Sequence, residues 1–440
     1  MVFPQVTIAN QSTVFLNHPR TIRKLFNNPD VKKFTNDRPP SFISEHLLFG
    51  EENTAFSSHN PIQSRRRKTI HGVLKFYGQN VCEIERNIMN ILSDVCSEYQ
   101  ESQEIAISDV ISDIILKIIH TLITGDEATE RHLHALRSFN MRWDEFFVFE
   151  IETALHMFPF LSKIPLLPFK EKFANLVEAR NELFKIYYDE LKETYVIGQE
   201  RGFIDKLFTS QQKSFEAGDE ITMTDETIKA SICEITAASY VSSKTLIQIL
   251  FLILLRHQDL QERIYNDIKA VIDEDEEVSL KHRSKLPYLE AAILETMRYS
   301  SNSPFLLPHF TQKDISFEGF HIPQNSALVM NVWHSNRRED LWKDPWTFNP
   351  ERFLTPDGQL LQADDPDRLK MIAFGAGLRI CPAENFAKSR LFLVITTLIK
   401  NFEFFPIEGD ILPSENPRDW KDGYVVKSPR DFKCGIKRRN

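Results

Sequence analysis

The sequence predicts a mainly α-helical protein with a small β region (α+β), and three observations carry that expectation. Apolar residues recur every third or fourth position through residues 81–140, as Ile84, Ile88, Ile91, Leu92 and Val95, then Ile107, Val110, Ile111, Ile114, Ile115, Ile118 and Ile119. The stretch from Thr222 to His257 predicts the longest helix, with Asp225 and Glu226 in its first turn and Arg256 and His257 in its last, as the helix dipole favours. Strand signals are short and cluster between Pro304 and Val332.

Taken in order, residues 1–25 alternate imperfectly (Val6, Ile8, Val14, Leu16) and lead into a helical run over Thr21–Phe26. A polar, irregular stretch follows, whose Phe42, Leu47, Leu48, Phe49 and Phe56 either anchor loops or face a pocket. Arg65-Arg66-Arg67-Lys68 opens the next helix as a basic, mostly solvated face. Beyond Phe146-Phe147-Val148-Phe149, the segment Met157–Phe169 carries Pro159, Pro165 and Pro168 among Phe and Leu, and proline at this density breaks helices. It reads as a flexible lid or as a buried connection. Lys170–Gly198 predicts a solvent-facing helix, and Leu286 begins a helix containing Glu295 and Arg298. Leu306-Leu307, Ile315, Phe317, His321-Ile322 and Ala327–Met330 predict strands; Glu384–Asn401 predicts a helix, and Gly423–Val426 and Phe432–Ile436 closing strands. No internal repeat or linker divides residues 1–440, so a single domain is expected.

The 440 residues suffice for a large core, and 34 phenylalanines suit a roomy apolar interior. A net charge of −9 argues against a general nucleic-acid binder. The cysteines Cys82, Cys96, Cys233, Cys381 and Cys434 lie far apart, without C-x-x-C or Cys/His zinc spacing, so neither a disulfide framework nor a zinc site is expected. No pure apolar run exceeds Ile249–Leu255, well short of the roughly 18–20 residues that span a bilayer.

The sharpest chemical signal is Phe374-Gly375-Ala376-Gly377-Leu378-Arg379-Ile380-Cys381-Pro382-Ala383. Glycines allow a tight turn and close approach of backbone to a flat ligand. Arg379 and a helix N-terminus at Pro382 would favour thiolate at Cys381, a candidate axial ligand for haem iron. The spacing Phe-x-x-Gly-x-Arg-x-Cys-x-Ala resembles the cysteine-ligand loop of the cytochrome P450 family, with Ala383 where that family usually has glycine. Glu295-x-x-Arg298 and Pro350-Glu351-Arg352-Phe353 precede it in the family's order and at its intervals. The animal microsomal branch is the most similar, in the tail Ser428–Phe432 and the Leu286–Arg298 helix.

The resemblance implies the cytochrome P450 fold, with haem b between the Thr222–His257 and Glu384–Asn401 helices and Cys381 on iron. It implies a structural Glu295–Arg298–Arg352 cluster and contacts from Phe374, Gly377, Arg379, Arg67 and His309 to the cofactor, the cations meeting its propionates. A Trp four residues before the equivalent of Arg67 is replaced by Gln63. On the long helix the family's acid–hydroxyl pair, which relays protons, falls on Val241 and Ser242 within Ala238-Ser239-Tyr240-Val241-Ser242; Ser242 and Ser239 are therefore the hydroxyl candidates, and valine transfers no proton. Phe147, Ile235, Ala238, Pro304, Phe305, Leu306 and Val425 are the substrate-pocket candidates.

The implied reaction is insertion of one oxygen atom of O₂ into an apolar steroid, lipid or xenobiotic, with NADPH electrons arriving through a reductase and optionally cytochrome b5. The departures at 63, 241 and 383 keep two alternatives open: a peroxide isomerase or dehydratase, and a catalytically silent haem-binding or sensor protein. A monomer is expected, with peripheral membrane contact through Met157–Phe169. Its implied location is the cytoplasmic face of the endoplasmic reticulum if an N-terminal anchor has been trimmed, and the cytoplasm otherwise.

Overall fold

A computed structural model describes residues 5–8, 11–79, 82–148, 151, 154–155, 158–164, 167–423 and 425–439. Thr224 caps the helix Asp225–Arg256, its hydroxyl accepting from the Thr227 N–H at 3.1 Å. This 32-residue helix is the axis of the fold. It touches the helices Ile107–Thr124, Glu130–Phe146, Pro168–Phe184, Pro287–Ser300 and Glu384–Asn401. Apolar residues all round its C-terminal half, Leu246 through Leu255, are buried. By length and composition the helix could cross a membrane, a window the run-length reading missed, but 72% of that window lies inside the protein. A helix apolar on every face marks the core as readily as a bilayer.

The β region joins distant parts of the chain. Gln11–Leu16 pairs antiparallel with Gln5–Ile8 and parallel with Ala327–Met330, which in turn pairs with His309–Phe310. Beneath it Leu16, Ile22, Leu25, Phe26, Ile315, Leu328 and Met330 form a second core that also takes in Ala376 of the cysteine loop. Elsewhere Lys433–Arg438 lies between Gln103–Ala106 and Phe402–Phe405.

Several boundaries depart from the sequence expectations. Leu306-Leu307 is coil, because Leu306 takes a left-handed φ of 52° that no strand accommodates. Of Gly423–Val426, Tyr424 lies outside the described residues, and the rest is not strand: the Gly423 N–H bonds the Val426 carbonyl at 3.0 Å between the paired strands Lys421–Asp422 and Lys427–Ser428. The Pro168–Thr194 helical stretch carries a π segment at Lys185–Asp189 that buries Tyr187 and Tyr188, so it is less solvent-facing than its charge suggests. Of the Met157–Phe169 segment, Met157, Pro165 and Leu166 lie outside the described residues, as does Phe149. The described part is a short 3₁₀ turn over Pro159–Lys163 that exposes Phe158, Phe160 and Ile164.

Candidate active site

The segment Phe374–Ala383 leaves the β region and enters the helix Glu384–Asn401. Gly377 takes φ 73°, and a Cβ there would lie 2.7 Å from the Phe26 carbonyl oxygen. Glycine is thus demanded by the Pro19–Asn27 helix beneath the loop, a different cause from the close approach of a flat ligand. The Cys381 N–H donates to the Phe374 carbonyl at 2.9 Å and closes the loop, while Lys388 Nζ stands 5.1 Å from the Phe374 ring centre. Burial pushes the Cys381 thiol up, whereas the Ala383 N–H and the Arg67 charge pull it toward thiolate. Arg379, expected beside the thiol, turns away from it. Its guanidinium donates to the carbonyls of Asn36 (2.8 Å), Thr54 (3.0 Å) and Ser57 (2.6 Å).

That turn places Arg379 in a cluster of cations. Arg67 donates to the Ile380 carbonyl at 2.8 Å. Arg38, which sequence reasoning passed over, donates to the carbonyls of Ala55 (2.9 Å), Leu307 (2.8 Å) and Pro308 (2.7 Å). Burial first, then the Arg379 and Arg67 charges, press the Arg38 pKa well below its ordinary value, and burial and Arg67 lower that of Arg379 to about 9. None of these three forms an ion pair among the described residues. His309 packs against Phe26 with the rings tilted and their centres 4.3 Å apart, and donates Nδ1–H to the Thr35 carbonyl at 2.9 Å. Burial and the neighbouring arginines hold it neutral, so Nε2 accepts and does not donate. Around the cluster Asn36 Oδ1 and Ser57 Oγ are buried without a partner among the described residues, and His59 and Gln63 lie beside each other. Gln63, at the Trp position, spends its Nε2 on the Thr54 carbonyl at 3.2 Å. Of the four-base run Arg65 and Lys68 are exposed, Arg65 pairing with Glu220 at the surface, while Arg66 is buried against Glu52.

The loop's approach is fixed from behind. Arg298 donates to both Glu295 carboxylate oxygens at 2.7 Å, with both side chains fully buried. Arg352 Nε reaches Glu295 at 3.3 Å and the Asn349 N–H reaches it at 2.9 Å. Arg298 also holds the carbonyls of Asn336 and Pro345. The i,i+3 pair thus organises the coil through residues 336–353.

On the long helix, Ala238 and Ser242 are exposed amid buried neighbours, and Glu234, Ile235, Ser239 and Val241 are half-buried beside them. This strip interrupts the otherwise buried surface of the helix. Ser242 Oγ donates to the Ala238 carbonyl at 2.6 Å, and the Ser239 carbonyl accepts from Arg390 at 3.2 Å. Glu234, not anticipated from sequence, accepts from the N–H of Thr54 (2.9 Å) and Ala55 (2.7 Å) and from Thr54 Oγ1 (2.8 Å), tying the strip to the loop that meets Arg379. Of the pocket candidates, Phe147 is buried against Trp143 and Phe56. Phe305 is exposed and meets Phe15 edge-on, and Leu306 packs against the β core. Ser303 Oγ bonds the Val425 carbonyl at 3.0 Å, which brings the Pro304–Leu306 segment beside the terminal hairpin. Asp144, also missed, is exposed on the helix Glu130–Phe146, yet desolvation by the surrounding protein raises its carboxyl to about 6, against the pull of Lys244 and Lys421.

These residues fit haem b. A lone thiol offers one axial ligand, and no cluster of three metal-binding side chains competes with it among the described residues. Three guanidiniums that form no ion pair among the described residues, with the Ser57 hydroxyl as a further donor beside them, suit two propionates. Fold and site together define the haem-thiolate class. The chain belongs to the cytochrome P450 family, whose sequence model, described as Cytochrome P450, matches residues 3–434. It is similar to Cytochrome P450 1A1 of Pleuronectes platessa, 32% identical over 58% of this chain and 48% of that protein. It is also similar to the steroid 17-alpha-hydroxylase/17,20 lyase of Ictalurus punctatus, 26% identical over 86% of this chain and 73% of that one. The chain spans about half the length of the first of these relatives. A solved zebra fish cytochrome P450 with progesterone shares the fold at TM-score 0.83 and 22% identity, over 99% of this chain and 96% of that one.

Proposed function

We propose that the protein is a haem-dependent monooxygenase that inserts one oxygen atom of O₂ into an apolar organic substrate, receiving NADPH electrons through a reductase. The carrying observation is the pairing of a Cys381 loop closed on Phe374 with arginines 38, 67 and 379 that no carboxylate satisfies. Haem b with a thiolate ligand supplies redox chemistry that favours O–O cleavage. The protein's own residues do the rest. Ala383 N–H and Arg67 favour the thiolate of Cys381 against the burial that raises its pKa, and the arginines orient the cofactor's carboxylates. Glu295, Arg298 and Arg352 keep the coil behind the loop rigid. The Ile235–Ala238 strip, Phe305 and Val425 offer apolar surface to substrate. A steroid or comparable lipid suits that surface and agrees with the named activity of the Ictalurus relative. Exposed Phe158, Phe160 and Ile164 support peripheral contact with a membrane such as the endoplasmic reticulum. A single domain acting as a monomer, with cytochrome b5 as an optional second electron donor, completes the reading.

One observation favours a second reading. Val241 puts no acid beside Ser242, and the Ser242 proton is engaged by Ala238, so a peroxide isomerase that needs no delivered protons also fits. Product formed per NADPH consumed, with a reductase supplied, separates the two. Stoichiometric, NADPH-dependent oxygenation supports the monooxygenase, and peroxide conversion without any NADPH use overturns it.

A further inference from the structure

Four arginines are buried to less than a tenth of their surface: Arg66, Arg298, Arg379 and Arg390. Arg66 pairs with Glu52, Arg298 pairs with Glu295, and Arg379 gives its guanidinium to three carbonyls in the cluster described above. Arg390 stands apart. It lies on the helix Glu384–Asn401 and is 1% exposed. Its Nη2 donates to Ser243 Oγ and to the Ser239 carbonyl on the long helix, while Nε and Nη1 have no partner among the described residues. Burial alone lowers its pKa, to about 10, with no neighbouring charge of either sign contributing. A guanidinium does not shed its proton at working pH, and a lone buried cation is among the least tolerable groups in a protein interior. Its only other neighbour of note is the Phe386 ring, 5.2 Å away, which offers weak compensation. Thr236 lies seven residues before Ser243, on the same face of the long helix, and its hydroxyl is likewise fully buried and unpartnered. At Ser239 and Ser243 the seam between the two helices thus holds two unpaired guanidinium nitrogens and a full positive charge, without a carboxylate partner among the described residues.

From this geometry we infer that Arg390 binds a small inorganic anion, chloride or a close analogue, in the seam between the Asp225–Arg256 and Glu384–Asn401 helices. The anion accepts from the free guanidinium N–H groups and neutralises the charge. It pins the cysteine-loop helix to the long helix at the level of the Ser239–Ser243 turn. This requires no turnover and no bound substrate.

The test uses the full-length holoprotein exchanged into chloride-free buffer. Sodium chloride is titrated against sodium methanesulfonate at matched ionic strength while the thermal midpoint is followed. A saturable, chloride-specific rise of roughly 1–3 °C is expected, since a ligand confined to the folded state stabilises it. The rise should be absent in Arg390→Met, whose neutral side chain of similar length needs no anion. A crystal grown in bromide adds a measurement on the unaltered protein: anomalous density beside the Arg390 guanidinium is expected. Equal responses to the two salts, a chloride response that persists in Arg390→Met, or only water against Arg390 in the bromide crystal each overturns the assignment.

Discussion

The two sides of the cysteine loop are built on different principles. Behind it, Glu295 is fully buried and accepts from Arg298, Arg352 and the Asn349 N–H, so every lone pair that matters is spoken for. Across from it, Ala238 and Ser242 on the long helix are exposed, and the Ser242 hydroxyl answers only its own helix. The first region tolerates almost no change because each group is a condition for its neighbours. The second is tied to its surroundings through Tyr240, which bonds Ser112, and through the Ser239 carbonyl, which leaves Val241 and Ser242 free to diverge. Structural stringency therefore gathers behind the loop and chemical latitude on the strip.

The largest expected break is Glu295→Ala. It strips Arg298 of its carboxylate in a fully buried site and should cost about 3–5 kcal/mol, read from chemical denaturation. Gly377→Ala comes next. A side chain at φ 73°, driven against the Phe26 carbonyl, should cost about 1–3 kcal/mol and lower haem retention after gel filtration. On the strip side the effects shrink. Asp144 has a pKa raised in the folded state to about 6, so ionising it opposes folding as pH rises from about 4 to 6. Asp144→Asn should therefore match the parent at pH 4 and be more stable at pH 7, by on the order of 1 kcal/mol once solvent screening is discounted. Equal stabilities at pH 7 would show that folding leaves the Asp144 carboxyl at its ordinary value. Ser242→Ala should change stability by less than about 0.5 kcal/mol, since it removes one exposed intrahelical bond. A change as large as that of Glu295→Ala would erase the contrast.

The same contrast explains what the sequence made legible. Helix Glu384–Asn401 and strand Ala327–Met330 were readable to the residue, because period and turn chemistry are local signals. The Glu295–Arg298 pair was readable because both partners sit on one helix face. Arg38 was not: its partners Leu307 and Pro308 lie some 270 residues away, and nothing in Arg38-Pro39-Pro40 announces them. Glu234 escaped for the same reason, since the amides it accepts from belong to Thr54 and Ala55. Arg379 was expected on the thiol because the two are neighbours in sequence. The 3₁₀ turn Gly377–Arg379 sends it instead to the carbonyls of Asn36, Thr54 and Ser57, a direction only tertiary structure decides.

The central claim is that Cys381, alone among the five cysteines, ligates the haem iron. The direct measurement is the carbon monoxide difference spectrum of the reduced protein before and after Cys381→Ser. The unaltered protein should show the red-shifted band of a thiolate-ligated haem, and Cys381→Ser should lose that band even where haem is retained. Survival of the red-shifted band in Cys381→Ser would contradict the account.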